Sequence, residues 1–342
     1  MDLLILLVIL ITLYLAFGIG SNDETMSSVV GSGSLSLNQA VLWGGLLACL
    51  GCIFLSENVG ENIGSSLFSQ DLQIEYDVWM MLAIILSTST WLIFASKTGA
   101  PISTTHSVVG AVIGVAFMWS FIPGNDFLYS LNWIKLGTIA LGWVISPVLG
   151  LITAALMQKL IHLFMIRKWK KDGVIGFLEI EDLEKKFRLI LLFFISITQL
   201  SRGGNDSANA IGIYYGLIDT GDIPSNLAAF IKILIGCMIG LGLILIGRNV
   251  IKNVGGSLIE MRPSDAFAIE SSNAIVVLTC TLLGLPISGS HVLIFAIIGS
   301  GLSKGEKPNW KALKKMILAW VITFPAAAIL SATIYLGFIL IL

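Results

Sequence analysis

Two short segments place glycine, proline and hydroxyl side chains inside otherwise apolar sequence. Residues 99–106 read GAPISTTH and residues 284–291 read GLPISGSH. Proline suits the first turn of a helix, and the free N–H groups and positive dipole end of that turn bind anions. The two segments therefore predict an oxyanion site with these donors: Ser103, Thr104, Thr105, Ser288, Gly289 and Ser290.

The same pattern has an ordinary structural explanation, a loop that ends in a helix N-cap. A single copy favours the loop. Two copies at matched positions favour two helix ends that face each other around a tetrahedral anion. His106 and His291 end the two segments, and we interpret them as side chains that pin the turns rather than as substrate ligands.

A second repeated pattern sets an amide beside a carboxylate. Residues 20–23 read GSND and residues 203–206 read GGND, each at the edge of an apolar span, where a charge is costly and usually functional. Hard cations take oxygen ligands of this kind, although an Asx turn or a helix cap is the structural alternative. The predicted ligands of a coupling cation are Asn22, Asp23, Asn205 and Asp206. Glu270, inside a later apolar run, is predicted for the same site, and a snorkelling or ion-paired structural role is its alternative.

Composition indicates that the elements carrying these motifs are membrane helices. The chain has 342 residues, of which 56% are hydrophobic and 12% are charged, against about 25% charged in soluble domains. Apolar runs near the roughly 20 residues of a membrane span recur, and about ten spans fit. The net charge of −1, with no dense basic cluster beyond one loop, argues against a nucleic-acid partner. Since the candidate serines follow proline in predicted spans rather than in strands, we expect no enzyme activity.

The motifs follow the same order in both halves, which indicates a duplicated unit. We predict an all-α membrane protein of two inverted-topology repeats, each of about five spans, with helices broken at the midplane. The predicted parts are residues 1–166, a charged cytoplasmic loop at 167–188, and residues 189–342. Lys and Arg concentrate in that loop and are absent from residues 57–77, which places 57–77 outside. Loops that contain Lys and Arg alternate along the chain with loops that lack them, and Lys135 and Arg202 are the exceptions.

The paired G-x-N-D and P-I-S-x-x-H motifs resemble the inorganic phosphate transporter family, PiT, over nearly the whole chain. Residues 265–270, DAFAIE, are also similar to the acidic segment of that family. The resemblance implies uptake of inorganic phosphate in symport with a cation, and a homodimer in the plasma membrane, the short central loop fitting a prokaryote. It places the Asn-Asp pairs and Glu270 at sodium or proton sites and the hydroxyl segments at the phosphate site. No covalent cofactor is expected, because the sodium ion or proton is a co-substrate.

Two positions depart from the family pattern. Gly289 stands where the family commonly has threonine, and Glu24-Thr25-Met26 follows the first Asn-Asp pair where Val-Ala-Asn is common. Both departures touch specificity, so two alternatives stay open beside a phosphate symporter that works by alternating access. One is a sulfate permease of the same family, and the other is a passive anion channel in which the helix ends form a filter.

Overall fold

The computed structural model describes residues 3–60, 64–69, 72, 76–172, 177–219 and 228–341, and these residues are mainly helical. The first half contains α1 (Leu3–Ser21), α2 (Ser27–Gly31), α3 (Leu37–Leu55), α4 (Glu57–Gly60), a 3-10 turn (Gly64–Leu67), α5 (Val78–Lys97), α6 (Thr104–Trp119), α7 (Phe127–Ser130) and α8 (Trp133–Asp172). The second half contains α9 (Phe177–Asp219), α10 (Ala228–Gly242), a π-helical turn (Leu243–Gly247), α11 (Arg248–Gly255), α12 (Pro263–Leu282), α13 (Gly289–Ser303) and α14 (Trp310–Ile341).

Several of these helices have the length and apolarity of membrane spans. Within the described residues six qualify: α3, α5, α8 over Trp133–Met165, the segment Ala229–Gly255, α12 and α14. Three shorter apolar helices, Leu6–Ser21, Thr104–Trp119 and Gly289–Ser303, add to them. Many of their large apolar side chains are exposed, as is expected of surfaces that face lipid. The prediction of an all-helical, multi-pass membrane protein is confirmed.

The charged stretch between the halves, predicted as a cytoplasmic loop, is helical in its described residues. Its described residues, 167–172 and 177–188, continue α8 and begin α9. Exposed pairs one helical turn apart, Glu181 with Lys185 at 3.0 Å and Asp182 with Lys186 at 2.8 Å, explain how so polar a segment stays helical. The high charge of this segment is therefore compatible with a helical conformation.

The two halves are interleaved rather than set side by side. α1 packs against α5 of its own half and α10 of the other, and α9 packs against α12 of its own half and α3 of the other. In the same way α6 contacts α14, and α13 contacts α8. The predicted boundary near residue 189 therefore divides the sequence but not the packed core.

Glycines permit the closest of these helix crossings. A Cβ atom added to Gly20 would lie 1.8 Å from the carbonyl oxygen of Ile239, and one added to Gly51 would lie 2.0 Å from that of Leu200. No side chain fits in such a gap, so α1 lies directly on α10 and α3 lies directly on α9. These crossings set the positions of the motif residues that follow Gly20 and Leu200.

The two Asn-Asp pairs occupy different local structures. Asp23 follows the end of α1, as the sequence predicts, whereas Asp206 lies inside the continuous helix α9. The glycines before Asn205 do not end the helix but let α9 pack closely against α3. A Cβ atom at Gly203 would lie 2.5 Å from the carbonyl oxygen of Ala48. Asp206 is thereby held on a rigid helix rather than at a helix end.

Candidate functional site

Each Gly-Pro segment forms the turn of a helix–turn–helix unit. α5 packs against α6 and α12 packs against α13. The turns begin at Gly99 and Gly284, whose φ angles of +73° and +68° are strained for any other residue. Pro101 and Pro286 lie two residues before the N-caps of α6 and α13 and not in the first turn, which differs from the expected placement.

The caps themselves are serines. Ser103 Oγ accepts a hydrogen bond from the His106 amide at 3.3 Å, and Ser288 Oγ accepts one from the His291 amide at 3.4 Å. The N-cap explanation is thus correct at both segments, but capping does not use all the hydrogen-bonding capacity of the two serine hydroxyls. A hydroxyl that accepts at oxygen keeps its hydrogen for a further acceptor. Each cap serine can therefore hold its helix end and donate to an anion.

The first turns of α6 and α13 meet inside the protein. Thr105 Oγ1 donates to the Ile287 carbonyl at 3.4 Å, and Ser290 Oγ donates to the Ile102 carbonyl at 3.3 Å. All six residues predicted for the anion site are buried there: Ser103, Thr104, Thr105, Ser288, Gly289 and Ser290. The structure brings this predicted set together although its two parts are far apart in sequence.

The two motif asparagines hold these turns in place. Asn22 Nδ2 donates to the Ala100 carbonyl at 3.0 Å, and Asn22 Oδ1 accepts from the Ile102 amide at 2.8 Å. Asn205 makes the same two bonds in the other half, to the Leu285 carbonyl at 3.0 Å and from the Ile287 amide at 3.4 Å. Both ends of each amide are therefore engaged by a turn backbone.

The carboxylate of Asp23 is buried and accepts several hydrogen bonds. Its Oδ1 accepts from the Thr25 amide at 2.9 Å and the Thr25 hydroxyl at 2.6 Å, and its Oδ2 accepts from Gln199 Nε2 at 2.6 Å. Gln199 lies on α9, three residues before Arg202 and seven before Asp206. This spacing puts the three side chains on one face of α9, and that face lines the site.

Arg202 is the site residue that the motif search missed. It is 5% exposed and forms ion pairs with Glu24 at 2.6 Å and with Asp206 at 3.0 Å. Its Nη2 donates to Ser290 Oγ at 3.0 Å, in the first turn of α13. In the sequence, Arg202 stands out only as an exception to the predicted distribution of Lys and Arg among the loops. A lone arginine just before a GGND motif in an apolar region was the available signal.

Glu270 joins the site from α12. It is fully buried and accepts a hydrogen bond from Ser28 Oγ at 2.6 Å. The segments that carry the site residues also contain buried side-chain oxygens with no hydrogen-bond partner among the described residues: Glu24 Oε2, Ser27 Oγ, Gln199 Oε1, Asn209 Oδ1, Glu270 Oε2 and Asn273 Oδ1. Buried oxygens without a hydrogen-bond donor are suitable ligands for a hard cation. The described residues contain no cluster of three His, Cys, Asp or Glu placed for a metal.

The two motif histidines lie in a row of four rings that are tilted against one another. His106 lies 3.8 Å from Trp143 between ring centroids, His291 lies 4.0 Å from Trp320, and the two histidines are 4.9 Å apart. Trp320 Nε1 also donates to the Pro101 carbonyl at 2.9 Å. This row of rings links the starts of α6 and α13, so the histidines support the turns by packing.

Comparison with known proteins agrees with this geometry. A model described as the phosphate transporter family matches residues 17–331. The chain belongs to this family. The resemblance drawn from the paired motifs is confirmed, and so is the prediction of a transporter rather than an enzyme.

Relatives match along nearly their whole length. Proteins named "Putative phosphate permease" from Pyrococcus abyssi and Thermococcus kodakarensis are 28% and 29% identical, over 98% of both chains in each case. A protein of the same name from Mycobacterium bovis is 26% identical over 96% of this chain and 86% of its own. A solved structure titled "The sodium-dependent phosphate transporter" superimposes with a TM-score of 0.85 at 26% identity, covering 100% of both chains.

Proposed function

We propose that this chain imports inorganic phosphate in symport with a cation, a sodium ion or a proton, by alternating access. The observation that carries the proposal is the meeting of two buried helix N-termini, each capped by a serine and followed by further hydroxyls or free amides. Such ends supply oriented N–H and O–H donors and a positive dipole, which suit a tetrahedral oxyanion.

Phosphate would lie between the first turns of α6 and α13. Its donors would be the hydroxyls and first-turn amides of Ser103, Thr104, Thr105, Ser288, Gly289 and Ser290. These helix ends carry only partial positive charge, while the carboxylates nearby repel an anion. A cation bound close by is therefore needed to offset that repulsion.

The cation would bind at the carboxylates of Asp23 and Glu270, where Glu270 Oε2 has no hydrogen-bond partner among the described residues. The predicted Asp206 is already paired with Arg202 at 3.0 Å. A carboxylate at membrane depth costs about 2.5–3.5 kcal/mol on insertion scales, and a bound cation lowers that cost. Asn22 and Asn205 would contribute by holding the turns. The structurally similar protein is titled sodium-dependent, which favours sodium over the proton.

Alternating access would come from two inverted repeats that rock against each other. The packing supports a repeat, because α1 lies on α10 as α9 lies on α3, and α6 contacts α14 as α13 contacts α8. The matching amide bonds of Asn22 and Asn205 support it further. Repeats of this kind place their substrate at the interface between them, which is where α6 and α13 meet.

A cavity of about 560 Å³ reaches the first of the two turns. Thr98, Ala100 and Pro101 lie along it, and Lys311 and Lys315 line it as well. Two lysines at such a cavity attract anions. We propose it as the route between the site and the lysine-rich, cytoplasmic face.

Purified protein in proteoliposomes tests the function. Phosphate should accumulate inside against its gradient when a sodium or proton gradient is imposed, and should exchange with phosphate on the far side. A passive channel would only equilibrate phosphate, and that result would exclude symport. Competition by unlabelled phosphate, arsenate and sulfate identifies the anion, and stronger inhibition by sulfate than by phosphate would identify the sulfate permease instead.

The ion dependence of binding tests the coupling. Phosphate affinity should rise with sodium or with proton concentration, and by linkage the cation should bind more tightly in phosphate by the same factor. Asp23→Asn should weaken that dependence. If the wild-type affinity depends on neither ion, or if Asp23→Asn retains the full dependence, the coupling role of this carboxylate fails.

A further inference from the structure

Arg202 is a positive charge held in a fixed position inside the protein. Its guanidinium contacts Glu24 at 2.6 Å through Nη1 and Asp206 at 3.0 Å through Nε. Glu24 is fully buried and its Oε2 has no hydrogen-bond partner among the described residues. Two buried carboxylates thus share one guanidinium, and the group of three has a net charge of −1 when all are ionised.

Gly289 provides the space for this guanidinium. A Cβ atom at Gly289 would lie 2.5 Å from Arg202 Nε and 2.7 Å from Arg202 Cδ. Any larger residue there would require the arginine side chain to shift. The two departures from the family pattern, Glu24 and Gly289, therefore meet in space at one side chain: the first adds a carboxylate to Arg202, and the second makes room for it.

We propose that the guanidinium of Arg202 is a fixed positive charge for the carboxylates of Glu24 and Asp206. It replaces a mobile cation that these carboxylates would otherwise bind. The proposal rests on the proposed function, because phosphate binding is one of its two readouts. It assigns the mobile coupling cation to the Asp23 and Glu270 side of the site. Gly289 is then the residue that leaves space for the Arg202 side chain to replace the ion.

The charge count makes the proposal testable. Arg202→Gln leaves Glu24 and Asp206 without a positive partner. The net charge of the three-residue group then changes from −1 to −2, so a further cation is required. Phosphate affinity at low sodium should fall by roughly tenfold or more, the factor that equals about 1.4 kcal/mol. High sodium should restore it, and the Hill coefficient for sodium should rise by about one. Gly289→Thr should act in the same direction, because it displaces the guanidinium.

The double variant Glu24→Gln/Arg202→Gln is the decisive one. It restores the net charge of −1 and should return the sodium dependence of phosphate binding to that of wild type. Arg188→Gln is the control, since Arg188 is an exposed arginine in the same helix and should leave binding unchanged. If Arg202→Gln does not fold, the double variant decides alone, and any excess sodium dependence in it overturns the proposal.

Thermal unfolding of the same purified variants in sodium chloride and in choline chloride gives a readout without phosphate. Sodium should stabilise Arg202→Gln more than wild type or the double variant. Equal stabilisation, with unchanged sodium dependence of binding, would overturn the proposal. Loss of phosphate binding in both Arg202 variants at every sodium concentration would make Arg202 an anion ligand instead. If wild type binds no phosphate, the proposed function fails, and the sodium stabilisation still decides the role of Arg202.

Discussion

Single residues of this site have roles that differ within one motif. In each Asn-Asp pair the amide binds the backbone of a neighbouring turn, whereas the carboxylate faces the polar residues of α9 or the guanidinium of Arg202. The two amides make equivalent hydrogen bonds in both halves, whereas the two carboxylates have different partners. Asn22 and Asn205 therefore position the anion site, and the difference in its charge chemistry arises at Asp23 and Asp206.

Asn22→Asp should loosen the first turn. The substitution replaces the Nδ2 donor with an oxygen that faces the Ala100 carbonyl and Ser96 Oγ. An unmet buried hydrogen bond costs about 1–3 kcal/mol, so we expect a lower unfolding temperature together with weaker phosphate binding. Asn125→Asp is the control, because that amide makes one bond in a partly exposed connection. Full stability and affinity in Asn22→Asp would remove the positioning role.

Ser103→Ala and Ser288→Ala should separate capping from anion binding. Loss of a hydrogen bond to a charged ligand costs about 1.5–3 kcal/mol, so affinity should fall roughly tenfold to a hundredfold. Loss of the cap lowers stability by about 1 kcal/mol as well. Ser36→Ala is a matched control, since Ser36 caps α3 at an exposed position. It should lose stability and keep affinity. Unchanged affinity in both site variants would exclude these hydroxyls as ligands.

At the scale of helices, the site depends on backbones that touch. α9 carries Gln199, Arg202 and Asp206 on one face, and its carbonyl at Leu200 lies where a Cβ atom of Gly51 would be. The position of α9, and with it of the guanidinium, is therefore set by a glycine of the other half.

Gly51→Val should displace α9 and impair folding and binding together. Overpacking of a tight interface costs about 1–3 kcal/mol or more, and any shift of α9 carries Arg202 away from Ser290. Gly137→Val is the control, because a Cβ atom at Gly137 in α8 meets nothing within 4 Å. Melting temperature and phosphate binding of both variants are measured on purified protein. Wild-type behaviour of Gly51→Val would contradict the close crossing of α3 and α9.

At the scale of the whole molecule, the orientation in the membrane is predicted from the distribution of Lys and Arg. Residues 57–77 and 121–132 carry neither residue, while 167–188 is rich in both. Part of 57–77 lies outside the described residues. The plasma membrane location, the prokaryotic source and the homodimer stay predictions.

Single-cysteine labelling tests that orientation in a background without Cys49, Cys52, Cys237 and Cys280. Asp126→Cys should react with an impermeant reagent from outside, and Lys185→Cys should react only after the membrane is opened. Asp126 and Lys185 are both exposed, so access to the reagent does not limit either. The reverse pattern would place the charged segment outside and overturn the assignment.

The sequence by itself determined the elements and the repeated local chemistry. Runs of apolar residues predict membrane helices because backbone groups in hydrocarbon must bond internally. Glycine, proline and serine in a fixed order predict the two turns, since each acts through its own backbone limits or its nearest neighbours. Interactions of this kind lie within a few residues, so a single sequence contains them.

Only the tertiary structure decided which charges share a site. Arg202 reaches Glu24 across 178 positions of sequence and Ser290 across 88, and no local pattern specifies such pairs. The continuous path of α9 through GGND likewise depends on α3, where the glycines meet a neighbouring backbone instead of ending a helix. The energy of a buried charge depends on what surrounds it in space. The partners of Arg202, and the need for Gly289 beside it, therefore follow from the packing of four separate segments.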